Sequence, residues 1–160
     1  MSDPSALQAF WDAYRATLTP AVRPPETTPE AWHFCDNQAD ADELGDLVLR
    51  GIKTATCSLL WLYEAEDAPV PEPGDLSIII AWDGRPLCII ETTEVTIRPY
   101  DQVDARFAYE EGEGDRSLAY WRAAHWRAFS RELAGAGCAP VEDMPLICER
   151  FRVVYPLPAP

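Results

Sequence analysis

Lysine is nearly absent from this sequence: of 13 cationic side chains, Lys53 is the one ammonium and the rest are guanidinium groups. Set against 27 acidic residues, they leave a formal charge of −14. Such a balance opposes broad coating of a nucleic-acid backbone, whose affinity comes from clustered Lys and Arg. It still permits a local basic cleft, and it favours an uncharged nucleoside over a long polyanion. Paired cysteines are missing too. Cys35, Cys57, Cys88, Cys138 and Cys148 form no CxxC and no zinc-like spacing, so they read as free, mostly packed thiols. His33 and His125 are too isolated to suggest a metal site, and His125 sits at helical spacing between Trp121 and Phe129, as a packing residue would. No apolar run approaches the ~20 residues of a membrane span, so no membrane partner is expected. The start, MSDPSALQAFWDAYR, has neither a basic stretch nor an apolar signal core, which makes the cytoplasm the expected compartment. No GxGxxG, P-loop or GxSxG elbow occurs.

What remains is enough for one domain with a real core, since 48% of the 160 residues are hydrophobic. Leu7, Phe10, Trp11, Tyr14 and Leu18 recur at helical spacing and predict a helix over about 5–18. A proline-rich connector (20–30) follows, then a helix over about 38–50, capped by Asp36 or Asn37 and stopped by Gly51. Thr54 to Leu62 reads as a strand. LSIIIAW and LCIIETTEVTI, joined by DGRP, predict an antiparallel hairpin. A short helix over 101–110, an acidic loop, a long helix over about 117–134 and a closing strand at 148–155 complete the chain. The sum is α+β: a single domain over 1–160, with a small, mostly antiparallel sheet or barrel flanked by helices.

Two segments combine polar groups with a reason to be held rigidly. In GIKTATCS, Thr54, Thr56 and Ser58 share one strand face, and Lys53 sits in the turn before it. A lysine amine can lose its proton when desolvated, which a guanidinium does not, so one lysine beside three hydroxyls points to acid–base chemistry. The bland alternative is a turn whose hydroxyls pair with backbone. In EEGEGDR, carboxylates crowd a glycine-containing loop, which is either solvated or folded back onto Lys53, where a carboxylate would stay ionised and orient the amine. Trp61 and Trp82 end strands and are candidates for a cleft wall, whereas Trp11, Trp121 and Trp126 fit core positions.

GIKTATCSLLW, PGDLSIII, IETTEV and FAYEEGEGDRSLAYWRAAHW, in that order over about 33–155, resemble the ASCH family, specifically its longer bacterial branch. The resemblance implies a PUA-like β-barrel with helices around a cleft, and an association with RNA. Small members of the family deacylate N4-acetylcytidine with a Lys, a Thr and a Glu. Carried over by motif, these fall on Lys53, Thr56 and Glu111 as catalytic residues. Thr54, Ser58, Trp61, Arg116 and Ser130 are then substrate-binding candidates. The implied substrate is a modified cytidine nucleoside, with no cofactor and no metal ligands. Longer members look like single-strand ribonucleases that need a divalent ion, here Mg2+, which makes single-stranded RNA the alternative substrate. A non-catalytic RNA or modified-base binding module is the third possibility. DNA is not expected as a partner.

Overall fold

The computed structural model describes residues 2–157. Along the chain run α1 (Pro4–Thr17), β1 (Ala31–Trp32), α2 (Gln38–Leu49), β2 (Ala55–Leu59), α3 (Leu60–Ala65), β3 (Leu76–Ile80) and β4 (Pro86–Pro99). A 3-10 turn at Tyr100–Gln102, α4 (Ala105–Glu111), α5 (Leu118–Gly135) and β5 (Pro145–Tyr155) follow. The strands form one five-stranded sheet in the order β1-β3-β4-β5-β2. β1 pairs with β3 in parallel, while β3 with β4 and β2 with β5 are antiparallel. The expected α+β class and mostly antiparallel sheet are therefore present. Closure into a barrel is not: β1 and β2 are the two edges of an open sheet. β1 has two residues and β2 five.

Two further differences have local causes. The strand expected to run to Leu62 stops at Leu59, where LWLYEA, carrying the good helix formers Leu60, Leu62, Glu64 and Ala65, turns into α3. β1 has too few residues to display any period. Among the described residues, no helix is long and apolar enough to cross a membrane.

The chain forms two compact units. One comprises the chain up to Gly51, Gly74–Glu91 and the chain from Arg152; the other comprises Ile52–Pro73 and Thr92–Phe151. In the first, α1 turns Trp11 and Tyr14 onto Ile78, Ile80 and Ile89. α2 begins where the Asn37 side chain accepts from Asp40 N at 3.0 Å and ends before Gly51, whose φ of 71° is the left-handed value a helix stop favours.

The second unit carries the candidate site. Its core is Ala55, Leu59, Phe107, Trp121, Phe129, Leu133, Met144 and Leu146, with Cys57, Trp61 and Leu62 packed against it. α5 starts at Ser117, whose hydroxyl accepts from Tyr120 N at 3.0 Å. α4 starts at Asp104, whose carboxylate accepts from Phe107 N at 2.8 Å and pairs with Arg98 at 3.4 Å.

The Asp104 cap makes a testable contribution. Replacing Asp104 by Ala should lower stability by about 1 kcal/mol at neutral pH, the usual worth of an N-cap. The Phe107 N–H holds the Asp104 carboxyl below its ordinary value. Its stabilisation is therefore complete above the unfolded pKa near about 4 and is lost as the pH falls through the lower folded value. Urea denaturation should show the gap between wild type and Asp104→Ala closing under acid, while Asp104→Asn keeps its cap throughout. A gap independent of pH would contradict a charged cap.

Candidate functional site

Lys53 lies two residues ahead of β2, and its neighbours are tied to the end of α4. Thr54 N donates to the Glu110 carbonyl at 2.8 Å, and the Thr54 hydroxyl donates to the same oxygen at 3.3 Å. Arg116 donates from Nε to the Tyr109 carbonyl at 3.0 Å and from Nη2 to the Ile52 carbonyl at 3.4 Å, with its guanidinium 3.6 Å above the Tyr109 ring. Two glycines allow this closeness. Gly112 ends α4 at φ 77°, and a Cβ there would fall 2.7 Å from the Ile52 carbonyl oxygen. Gly114 has φ 56°, and a Cβ there would overlap the Tyr120 ring. The turn between them sends Glu111 and Glu113 to the same ammonium.

Lys53 Nζ donates to Glu111 Oε2 at 3.2 Å, to Glu113 Oε1 at 3.1 Å and to the Glu111 carbonyl at 3.4 Å. Lys53 and Glu111 are both only 1% exposed, and Glu113 is 19% exposed. His125, on α5, places Nε2 3.2 Å from Glu111 Oε2. Its Nδ1 lies 2.9 Å from the Trp121 carbonyl, and its ring stacks on Trp121 at 4.3 Å. A carbonyl only accepts, so Nδ1 carries a proton and Nε2 is the nitrogen turned to the carboxylate. Cys57 completes the cluster: its Sγ, a Glu111 carboxylate oxygen and a His125 ring nitrogen all lie within 4.8 Å of one another.

Burial and charge compete here, and charge wins for three of the four groups. Burial alone would favour a neutral Lys53, but Glu111 and then Glu113 more than offset it, and the amine is held as an ammonium. Burial alone would favour a neutral Glu111, but Lys53 and then His125 hold it well below the usual carboxylate range. Burial opposes the imidazolium of His125, and Glu111 reverses that to raise its pKa. Cys57 behaves otherwise. Burial first and the Glu111 charge second push its thiol well above its ordinary value, so it stays protonated.

Of the residues singled out by sequence, Lys53 and Glu111 come together. Ala55 and Leu59 face the core and Cys57 packs against it, so the alternation of β2 puts Thr56 and Ser58 on the opposite face of the strand. Trp61 is in α3 and packs on the unit's core rather than ending a strand. Arg116 is engaged in clamping α4 to Ile52. The Ser130 hydroxyl donates to the Trp126 carbonyl of its own helix at 2.5 Å. Glu113, Cys57 and His125 are additions. Glu113 was visible as part of the acidic loop, whereas the sequence suggested only packing for Cys57 and His125. The sulfur and nitrogen donors of this cluster suit a zinc-like ion and do not fit Mg2+, which takes oxygen ligands.

An ASCH domain family model matches residues 30–155, and the chain belongs to that family. A crystal structure of an ASCH domain from Lactobacillus crispatus JV V101 is similar with a TM-score of 0.89 and 41% identity, over 94% of this chain and 95% of that one. A crystal structure of a protein from Enterococcus faecalis V583 has a TM-score of 0.83 and 36% identity, over 93% of this chain and 88% of that one. No curated protein matched in sequence. ASCH domains have a PUA-like fold of RNA-binding type.

Removing the ammonium should expose the cost of the buried carboxylates. Lys53→Met leaves Glu111 without its main countercharge, and breaking one side of a buried ion pair costs roughly 3–5 kcal/mol. Denaturant titration at neutral pH measures this directly. A loss under about 1 kcal/mol, the range of exposed pairs, would mean the pair is not sequestered.

Proposed function

With an ASCH domain as the premise, we propose that this chain hydrolyses the amide of N4-acetylcytidine-type nucleosides at the Lys53 cluster. The observation that carries this reading is a buried ammonium shared by two carboxylates, Glu111 at 3.2 Å and Glu113 at 3.1 Å. Amide hydrolysis needs a nucleophile, a proton acceptor for it, and a donor for the departing amine. Because both carboxylates keep Lys53 charged, its role in this reading is to donate.

A water attacks the acyl carbon and gives a proton to Glu113, the carboxylate of the cluster that solvent reaches. The Lys53 ammonium protonates N4 as the carbon–nitrogen bond breaks, and Glu113 then returns its proton to Lys53. The products are cytidine and acetic acid, which ionises in solvent. Glu111, held ionised, orients Lys53 throughout. Thr56, on the opposite face of β2 from Cys57, has no part in this scheme. A neutral nucleoside is also the ligand that the charge of −14 resists least.

One observation favours a second reading, that of a non-catalytic binder of RNA or modified bases. Lys53 and Glu111 are nearly inaccessible, and a closed ion pair of this kind also serves purely to hold a fold together. Metal-dependent cleavage of single-stranded RNA has less support, because the one metal-like cluster among the described residues suits the wrong class of ion for Mg2+.

The test incubates the chain with N4-acetylcytidine and, separately, single-stranded RNA, with and without EDTA. Cytidine and acetate formed in EDTA support the hydrolase. Lys53→Arg keeps the charge but spreads it over a rigid plane that no longer points one N–H at N4, so turnover should fall on the order of a hundredfold, with circular dichroism and nucleoside binding measured alongside to separate a lost donor from a displaced Glu113. Near-normal turnover in Lys53→Arg would end the donor role. Binding of either ligand without any product would favour the binding module, and RNA cleavage abolished by EDTA would favour the ribonuclease.

A further inference from the structure

The hydrolytic scheme leaves Cys57 and His125 without a chemical task. We propose that Cys57 Sγ, the Glu111 carboxylate and His125 Nε2 form a binding site for a zinc-like divalent metal ion, which competes with Lys53 for Glu111. Their ligand atoms already lie within 4.8 Å of one another. Tetrahedral coordination at the usual zinc bond lengths separates nitrogen and oxygen ligands by about 3.3 Å and sulfur from either by about 3.6 Å. His125 Nε2 and Glu111 Oε2 are 3.2 Å apart, so that pair needs almost no movement. The remaining adjustment is at most about 1.2 Å at the thiol.

Two further observations point to an ion. Glu111 Oε1 is buried and has no hydrogen-bond partner, although a buried carboxylate oxygen ordinarily has one. A metal held through both carboxylate oxygens would supply the missing interaction. The second is the outer contact of His125. Its Nδ1 is fixed on the Trp121 carbonyl at 2.9 Å, the backbone contact by which metal-bound imidazoles are oriented to present their other nitrogen.

Charge also permits the exchange. In the metal-free cluster the thiol carries a proton, and so does an Nε2 that faces a carboxylate. A divalent ion displacing both leaves the local charge unchanged, and binding should release protons. Lys53 need not leave, because Glu113 at 3.1 Å and the Glu111 carbonyl at 3.4 Å still hold it. Thiolate, imidazole and carboxylate together select Zn2+ or Co2+ over Mg2+ and Ca2+. Protein supplies three ligands, and the fourth position falls to water or a ligand atom. If the hydrolase reading holds, metal on Glu111 also loosens the donor Lys53, and Zn2+ inhibits turnover. That last consequence rests on the hydrolase reading; the binding itself does not.

The experiment uses the full chain, reduced and freed of metal, with no nucleoside present. Titration with Co2+ should produce a thiolate-to-metal charge-transfer band that saturates at one equivalent and disappears when Zn2+ is added, while Mg2+ leaves it intact. Cys35 and Cys138 are exposed, so Cys35→Ser/Cys138→Ser serves as the control and should keep the band. Cys57→Ser should abolish it. His125→Gln should weaken Zn2+ binding at least tenfold and remove the rise in thermal midpoint that Zn2+ gives the wild-type chain. This second readout stands if Cys57→Ser fails to fold. No band in the wild-type chain, a band that survives Cys57→Ser, or an unchanged Zn2+ response in His125→Gln would overturn the site.

Discussion

The ion pair between Lys53 and Glu111 is the constraint around which the second unit is arranged. Each partner is 1% exposed, and taking either charge out of water costs several kcal/mol. Nothing else in the segment can meet that cost, so the chain must deliver carboxylates to the ammonium. Glu111 is the last residue of α4, and Glu113 arrives through a turn that only glycine allows at 112 and 114. The Thr54 and Arg116 hydrogen bonds then fix the two strands of this junction against each other. Gly112 ends α4 where its last residue, Glu111, meets Lys53, and the backbone conformation there limits which residues can follow.

Much of this architecture was legible in advance because it rests on periodicity and punctuation. α1, α2 and α5 follow from apolar spacing, and their caps and stops from Asn37, Gly51 and Ser117. The hairpin of β3 and β4 follows from two isoleucine-rich runs around the DGRP turn. The failures also share a physical origin. CSL and LWL are equally unbranched, and the helix formers Leu60, Leu62, Glu64 and Ala65 turn the second into α3. The order β1-β3-β4-β5-β2, with β1 and β2 as edges, is set by pairing between segments distant in sequence, which no pattern within one strand encodes.

The site divides in the same way. Lys53 and Glu111 were reached through the motifs that carry the ASCH resemblance, and the crowding of carboxylates in EEGEGDR supplied a reason for them to meet. Cys57 and His125 had no comparable signal. Their proximity depends on which side of β2 faces α5 and on the rotation of that helix, neither of which any local spacing encodes. His125 does pack, as its spacing implied, stacking on Trp121. The same packing aims Nε2 at Glu111. A residue can satisfy the core with one side of its ring and present chemistry with the other, so a convincing packing role was no argument against a second one.

The pair also explains why this position is lysine when every other cation is arginine. Three acceptors, at 3.1, 3.2 and 3.4 Å, surround one nitrogen. A tetrahedral ammonium can direct separate N–H groups at acceptors that lie in different directions, whereas a guanidinium spreads its donors over a rigid plane. In an enclosed pocket the larger plane would have to displace Glu113 or the end of α4. Elsewhere the arginines pair differently: Arg150 reaches both Glu110 at 2.6 Å and Glu94 at 3.0 Å across a more open surface. There a broad fork is the better shape. The lysine is therefore required first by geometry. Proton transfer, where it occurs, uses a group that the fold already needed to be compact, charged and fixed.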